Sequence, residues 1–306
     1  MCDSPCRTMR SLLAVGLPIL LIFTSLSGCL NSVDPDDSVV PDDPDSPILN
    51  CSEGFIPFGD SELAAYEGFE QVEDDNPRNT MFNKWEGANE SGYVIVNDTA
   101  RAGEKSFRVD ITPNDTTQSP DRPEKNRAEF GVNAGHGECV EVWYGWSFLI
   151  PEDFIEKPEG GTGFNVITQW HDRSGDPANP TSNNPPLSIL YGTRDGQSGL
   201  SFKYGLNDVN VHVFVEIAID KGVWHDLVYH IGWSQQDDGF ADVWLDGNSL
   251  TNGNLTGPNM HNELPHYWKA GHYRGVVGDD ATLTNNSIFF DEFRLGRSFA
   301  TVNPAQ

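Results

Sequence analysis

The chain has 306 residues, enough for one large domain or two small ones, and a formal net charge of -27 from 19 Lys and Arg against 46 Asp and Glu. So acidic a surface repels nucleic acid and anionic polymers at long range, which excludes a nucleic-acid partner and obliges any anionic ligand to find a locally basic groove. Lysine and arginine cluster in three stretches able to supply one: Arg101 to Arg108, Arg122 to Arg127 and Lys269 to Arg274.

In chain order, the first element is a leader. Arg7 and Arg10 precede an apolar run from Leu12 to Leu26 that closes on Leu26-Ser27-Gly28-Cys29, the layout of a secretory signal ending at small residues. The run is too short and too sharply punctuated for a membrane span. Leu-Ser-Gly-Cys resembles the lipobox of bacterial lipoproteins, whose cysteine becomes the lipidated first residue of the mature protein. On that reading residues 1–28 are the signal peptide, Cys29 is the lipidation site, and the protein is exported and membrane-anchored at the outer membrane or cell surface. The alternative is an ordinary secretory signal with a stray cysteine. Residues 29–50, with "LNSVDPDDSVVPDDPDSPILN", hold too little apolar side chain for a core and read as an acidic, disordered tether. Cys2 and Cys6 fall in the leader, so Cys51 and Cys139 remain. Two cysteines in an exported chain suggest one disulfide, with two buried thiols as the alternative.

From residue 51 to 306, Gly, aromatic and β-branched residues recur with no second linker, which predicts one domain, expected as a monomer. The clearest alternation is "VNVHVFVEIAI" (209–219), with Val209, Val211, Val213, Val215, Ile217 and Ile219 on one face. Similar runs occur at 140–150, 164–170, 187–191, 224–233, 240–245 and 287–295. Asp246-Gly247 after "FADVWL" is a strong hairpin signal. No segment carries a long helical period, so the expected fold is all-β, an antiparallel sandwich or jelly roll able to present a concave face to a polymer. Trp143, Trp146, Trp224, Trp233 and Trp244 read as core rather than as sugar platforms.

Three segments carry candidate chemistry. In "KNRAEF" (125–130), alternation sets Lys125, Arg127 and Glu129 outward and Ala128 and Phe130 inward. Arg127 is suited to bind a carboxylate bidentately while Glu129 holds its guanidinium, unless the two form an ordinary surface ion pair. In "NVITQWH" (165–171), Gln169 and His171 share a face and Trp170 points the other way. In "PHYWKAGHYR" (265–274), Tyr267, Lys269, Gly271 and Tyr273 share one face, either a catalytic surface or a solvated strand face. His272 and Arg274 point oppositely and read as structural. Asn210, His212 and Glu216 on the polar face of 209–219 are substrate-subsite candidates or ordinary exposed positions.

Arg127-Ala128-Glu129, Gln169-Trp170-His171 and Tyr267-Trp268-Lys269-Ala270-Gly271-His272-Tyr273, in that order, resemble the signature segments of jelly-roll polysaccharide lyases. Family 7 alginate lyases carry similar segments, and "GVWHDLVYHIGWSQQDDGFADVWLDGNSL" (222–250) looks more like the heparin lyase I and glucuronan lyase group. The resemblance spans about residues 66 to 297, and Arg127-Ala128-Glu129-Phe130 lacks the second arginine common in the alginate enzymes. It implies a concanavalin-like sandwich and cleavage of a uronic acid polymer by β-elimination. Arg127 and Gln169 would then neutralise the substrate carboxylate, with His171 as base and Tyr273 as acid, or with Tyr273 in both roles where the two departing groups lie on the same side of the ring. Lys269 would lower the Tyr273 phenol pKa or hold substrate, Gly271 leave room for the sugar ring, and Glu129 and Tyr267 line the site. The partner implied is an anionic polysaccharide, namely glucuronan, ulvan, alginate or a heparin-like chain. Such chemistry requires no cofactor, although jelly-roll lyases often carry a structural calcium, for which Glu67 or Glu70 with Asp291 supplies oxygen ligands. No zinc pattern occurs. The rivals are a non-catalytic carbohydrate-binding module and a sandwich-fold glycoside hydrolase, whose Glu-x-Asp-x-Glu strand motif is absent.

Overall fold

A computed structural model describes residues 51, 54–87, 89–117, 125–156, 165–172, 185–194, 197–206, 209–251, 255–275 and 284–306. The leader, Cys29, the tether and Arg122 lie outside the described residues, as do the side chains of Lys125, Asn210, His212 and Glu216. The first strands are β1 (Ile56–Pro57), β2 (Leu63–Glu67), β3 (Lys84–Gly87), β4 (Tyr93–Val96), β5 (Ser106–Ile111) and β6 (Thr116–Thr117). There follow β7 (Lys125–His136), β8 (Val140–Leu149), β9 (Asn165–His171), β10 (Leu187–Arg194), β11 (Gln197–Leu206) and β12 (Val209–Ala218). The last are β13 (Trp224–Gly232), β14 (Phe240–Leu245), β15 (Asn248–Ser249), β16 (Leu255–Thr256), β17 (His266–Gly275) and β18 (Asn286–Gly296), before a single helical turn α1 (Phe299–Val302).

These strands form two sheets, antiparallel except where β1 joins β8. The first runs β15-β14-β13-β8-β18-β5-β4, with β1, β2 and β16 attached, and the second runs β12-β11-β10-β9-β17-β7-β3, with β6 on β7. The chain crosses between sheets at β2 to β3, β3 to β4, β5 to β6, β7 to β8, β8 to β9, β12 to β13, β16 to β17 and β17 to β18, which makes the jelly-roll sandwich expected from the alternation. Between the sheets pack Phe107, Tyr144, Trp146, Phe148 and Phe290 from the first and Phe130, Trp170, Ile189, Phe202 and Trp268 from the second. The Asp246-Gly247 turn closes β14 on β15 with Leu245 opposite Asn248. Both turn residues take positive φ, 50° and 76°, as a type I′ hairpin requires.

Two sequence expectations change here. Arg101 and Arg108 do not contribute to a groove with Lys269. Arg101 clasps Asp226 of β13 through Nε at 3.0 Å and a terminal nitrogen at 2.8 Å, and Arg108 pairs with Asp110 along β5, both on the first sheet. Trp146 and Trp233 are core, but Trp143, Trp224 and Trp244 are only half-buried; Trp143 stacks on His230 and on Trp244, and Trp244 packs against Phe299 of α1.

His272 and Arg274 do enter the interior: His272 contacts Asn165 Oδ1, and Arg274 Nε donates to Asn126 Oδ1 at 2.9 Å. His136 and His266 are equally enclosed; His266 stacks on Trp233, and neither of its ring nitrogens has a hydrogen-bond partner among the described residues. Burial holds His136 and His266 down at about 3, and burial with the Arg274 charge depresses His272. A depressed histidine stabilises the fold above its unfolded value of about 6.5. That contribution is lost progressively as pH falls from there towards the folded value of about 3. Denaturant titrations at pH 7 and pH 5 are therefore expected to show lower stability at pH 5, by on the order of 2 kcal/mol per such histidine. Asp291, whose carboxyl is pushed up to about 7 by burial, works in the opposite direction over this interval, one group against three histidines. Higher stability at pH 5 than at pH 7 would therefore contradict the histidines' enclosure.

Candidate active site

Strand β17 inserts between β7 and β9, and β3 lies beyond β7, so motifs far apart in sequence become side-by-side strands. The ladders set their levels. Tyr267 stands opposite His171; Lys269 lies between Gln169 and Gly131; Gly271 faces Glu129; Tyr273 lies between Arg127 and Val166. Across β7, Lys84 pairs with Gly131 and Glu86 with Glu129. Residues paired across a ladder share a face. Because Ala128, Phe130, Trp170, Trp268 and Ala270 fill the core, this set occupies the outer face of the second sheet.

Two backbone irregularities shape that face. A register shift between Ala270 and Tyr273 brings Val166 level with Tyr273, while Ile167 joins the core, so strict alternation along β9 fails at its start. Gly271 has φ 139°, and a Cβ there would collide with the Ala128 carbonyl oxygen. Its first duty is thus close strand approach, beyond any room it leaves for a sugar ring.

The polar groups form one network. Glu129 accepts from Gln169 Nε2 at 2.5 Å and faces Arg127 Nε at 3.0 Å and Lys269 Nζ at 3.5 Å. Glu86 Oε2 accepts from an Arg127 terminal nitrogen at 2.6 Å and Lys269 Nζ at 3.0 Å, while Lys84 Nζ lies 3.3 Å from Oε1. Burial by itself would raise the Glu86 carboxyl, but the charges of Lys269, Arg127 and Lys84 outweigh it and hold it well below the usual carboxylate range. Within this network three cations meet two carboxylates, a concentration of basic groups in a chain that is acidic as a whole; counted with the Asp172 carboxylate 3.2 Å from His171, the formal charges of the site balance.

The phenols take separate partners. Arg127 rests on the Tyr273 ring at 4.2 Å, whereas Lys84 and Lys269 lie 4.4 Å and 5.6 Å from the Tyr267 ring centroid. Lys269 is therefore placed against Tyr267 and the two glutamates, and the cation at Tyr273 is Arg127. His171 stacks on Tyr267, and its Nδ1 lies 2.8 Å from the Asp172 carbonyl oxygen and 3.2 Å from its carboxylate. A carbonyl only accepts, so this contact places the neutral ring's proton on Nδ1 and its lone pair on Nε2.

Outward-facing does not here mean solvated. Glu129, Lys269 and Tyr273 are each 1% exposed, while the side chains of His171, Arg127 and Glu86 keep 19%, 17% and 12%. Asn210 and His212 lie on the edge strand β12, with His212 level with Tyr204. The sequence reading missed Lys84, Glu86 and Asp172. "KWEG" repeats the charged-aromatic-charged alternation of the other motifs, but nothing local to it reveals that β3 pairs with β7.

The carboxylates named for calcium are otherwise engaged. Glu67 accepts from the backbone N–H groups of Phe69 and Met81, Glu70 from those of Glu104 and Lys105, and Asp291 from those of Arg101, Ala102 and Glu292. Among the described residues no group of three or more His, Cys, Asp or Glu is placed to hold a metal ion.

The model of a family described as polysaccharide lyase matches residues 62–294. Among solved structures, the chain resembles an endo-β-1,4-glucuronan lyase from the fungus Trichoderma reesei, with TM-score 0.61 and 18% identity over 80% of this chain and 99% of that one. It also resembles the catalytic domain of a glycoside hydrolase family 131 protein from Coprinopsis cinerea, with TM-score 0.53 and 12% identity over 80% of this chain and 98% of that one. At such identities both show the shared sandwich fold alone. No curated protein matches the sequence. Since the family match covers most of the chain, including β7, β9 and β17 with all three motifs, the chain belongs to the polysaccharide lyase family, as a carbon–oxygen lyase acting on polysaccharides.

Proposed function

We propose that the polymer is uronic acid-containing and that the enzyme cuts it by β-elimination, leaving a 4,5-unsaturated uronate end. The observation that carries this reading is the gathering of three cations, Lys84, Arg127 and Lys269, with an imidazole on one sheet face. A uronate C5 proton is weakly acidic while the neighbouring carboxylate stays negative. Cations and the Gln169 amide around that carboxylate let charge spread onto it as the proton leaves. The ladder sets His171 level with Tyr267 and five β9 residues from Val166, the residue level with Tyr273, so one residue makes both transfers. Ionised Tyr273, beneath Arg127, takes the C5 proton, the C–H electron pair becomes the C4=C5 bond, the C4–O4 bond breaks, and the same phenol gives the proton to the departing oxygen.

The network also weighs against a hydrolase. A glycosidase needs a carboxylic acid kept protonated to release its leaving group. Glu86, held ionised by three cations, cannot be that acid. The test is a panel of glucuronan, ulvan, alginate and a heparin-like chain, followed by the ultraviolet absorbance of the new double bond. At least one member is expected to give a rising signal. New reducing ends without that absorbance would overturn elimination in favour of hydrolysis, and binding with no cleavage of any member would favour a binding module.

A further inference from the structure

Elimination itself asks nothing of Glu86, yet its carboxylate meets all three cations named above: Arg127 at 2.6 Å, Lys269 at 3.0 Å and Lys84 at 3.3 Å. It also stands directly across the ladder from Glu129, a like-charge pairing that is unfavourable by itself. Buried ion pairs are poor sources of stability, because desolvation offsets most of the coulombic gain. Apolar side chains would fill these positions more favourably, as Trp85 and Phe130 do on the inward parity of the same two strands. The arrangement therefore calls for a reason other than stability.

We propose that Glu86 is a positioning residue that locks Arg127 and Lys269 in the orientation that receives the substrate carboxylate, and that lowers the charge of the cluster by one. This rests on the roles given to Arg127 and Lys269 above. A terminal guanidinium nitrogen of Arg127 donates to Glu86 at 2.6 Å, whereas its Nε lies 3.0 Å from Glu129 without hydrogen-bond geometry, so Glu86 is the carboxylate that directs the rotation of the guanidinium plane. The same Glu86 oxygen holds the flexible Lys269 stem. Donors fixed in advance need no reorganisation when charge develops in the transition state.

Glu86→Gln keeps the shape and removes the charge. Its kcat on a cleavable uronate polymer is expected to fall by about 10- to 100-fold, the scale of loss when a reacting constellation is misplaced by roughly 1 Å. KM should stay level or drop, since the site becomes more positive, and Glu86→Asp, which keeps the charge, should recover part of kcat. A kcat within about twofold of native, or a loss that only tracks the loss of folded protein in a thermal melt, would overturn the proposal. Nitrogen-15 NMR of arginine side chains in the intact, substrate-free protein supplies a readout independent of turnover. Rotation of Arg127 about its Nε–Cζ bond should accelerate in Glu86→Gln. Unchanged rotation would overturn the positioning role whether or not any polymer is cut, whereas faster rotation in a protein that cleaves no uronate polymer would sink the substrate reading and leave the positioning role standing.

Discussion

Tyr273→Phe is expected to lower kcat by about 10²- to 10⁴-fold, the range for losing a positioned proton donor, with KM nearly unchanged. The phenyl ring would remain beneath Arg127, which lies 4.2 Å from its centroid, so the cation–π contact and the local packing survive and only the hydroxyl is lost. Tyr267→Phe provides the comparison. Tyr267 stacks on His171 and underlies Lys84 and Lys269, so in the proposed mechanism its hydroxyl contacts substrate rather than the departing oxygen. Its removal should act mainly on KM. Steady-state kinetics of the two variants on one polymer settle the assignment: should Tyr267→Phe lose kcat while Tyr273→Phe keeps it, the donor is Tyr267 and the mechanism above is misassigned. Thermal melts within a few degrees of native would confirm that both variants are folded.

Replacing both Cys51 and Cys139 by Ser is expected to destabilise the domain by about 4–5 kcal/mol, the chain-entropy value for releasing a loop of this length. The two cysteines are bonded across 88 residues of sequence. The bridge also ties the start of the domain to β8, where Ile56 N–H donates to the Cys139 carbonyl and β1 runs parallel to β8. Guanidinium titration of native and double-variant protein measures the difference. A change below about 1 kcal/mol would mean that the unfolded chain gains little freedom when the bridge is removed. The bridge lies in the β7–β8 turn, three residues past His136, while Arg127 and Glu129 lie towards the other end of β7, so the kcat of the folded fraction should change little.

The sequence by itself determined the fold class, most strand positions, the hairpin at Asp246-Gly247 and the face each motif residue occupies. All follow from period-two alternation and turn chemistry, which are properties of a few consecutive residues. The inward turn of His272 and Arg274 was legible for the same reason. Alternation was less reliable at the start of β9, where a register shift sends Ile167 into the core, because bulges arise from the neighbouring strand's path rather than from local pattern.

Only the tertiary structure decided which strands become neighbours. That β17 enters between β7 and β9 brings Arg127, Gln169 and Lys269 together, and that β3 closes on β7 adds Lys84 and Glu86, which no reading of "KWEG" alone reveals. The same pairing moved Arg101 and Arg108 to the opposite sheet and set Arg127, rather than Lys269, over Tyr273. The physical reason is that ionic partnership acts over a few ångströms in space, while the residues concerned lie up to 183 positions apart in the chain. Alternation assigns a side chain to a face; the ladder order assigns its neighbours on that face, and with them the charge balance on which the chemistry depends.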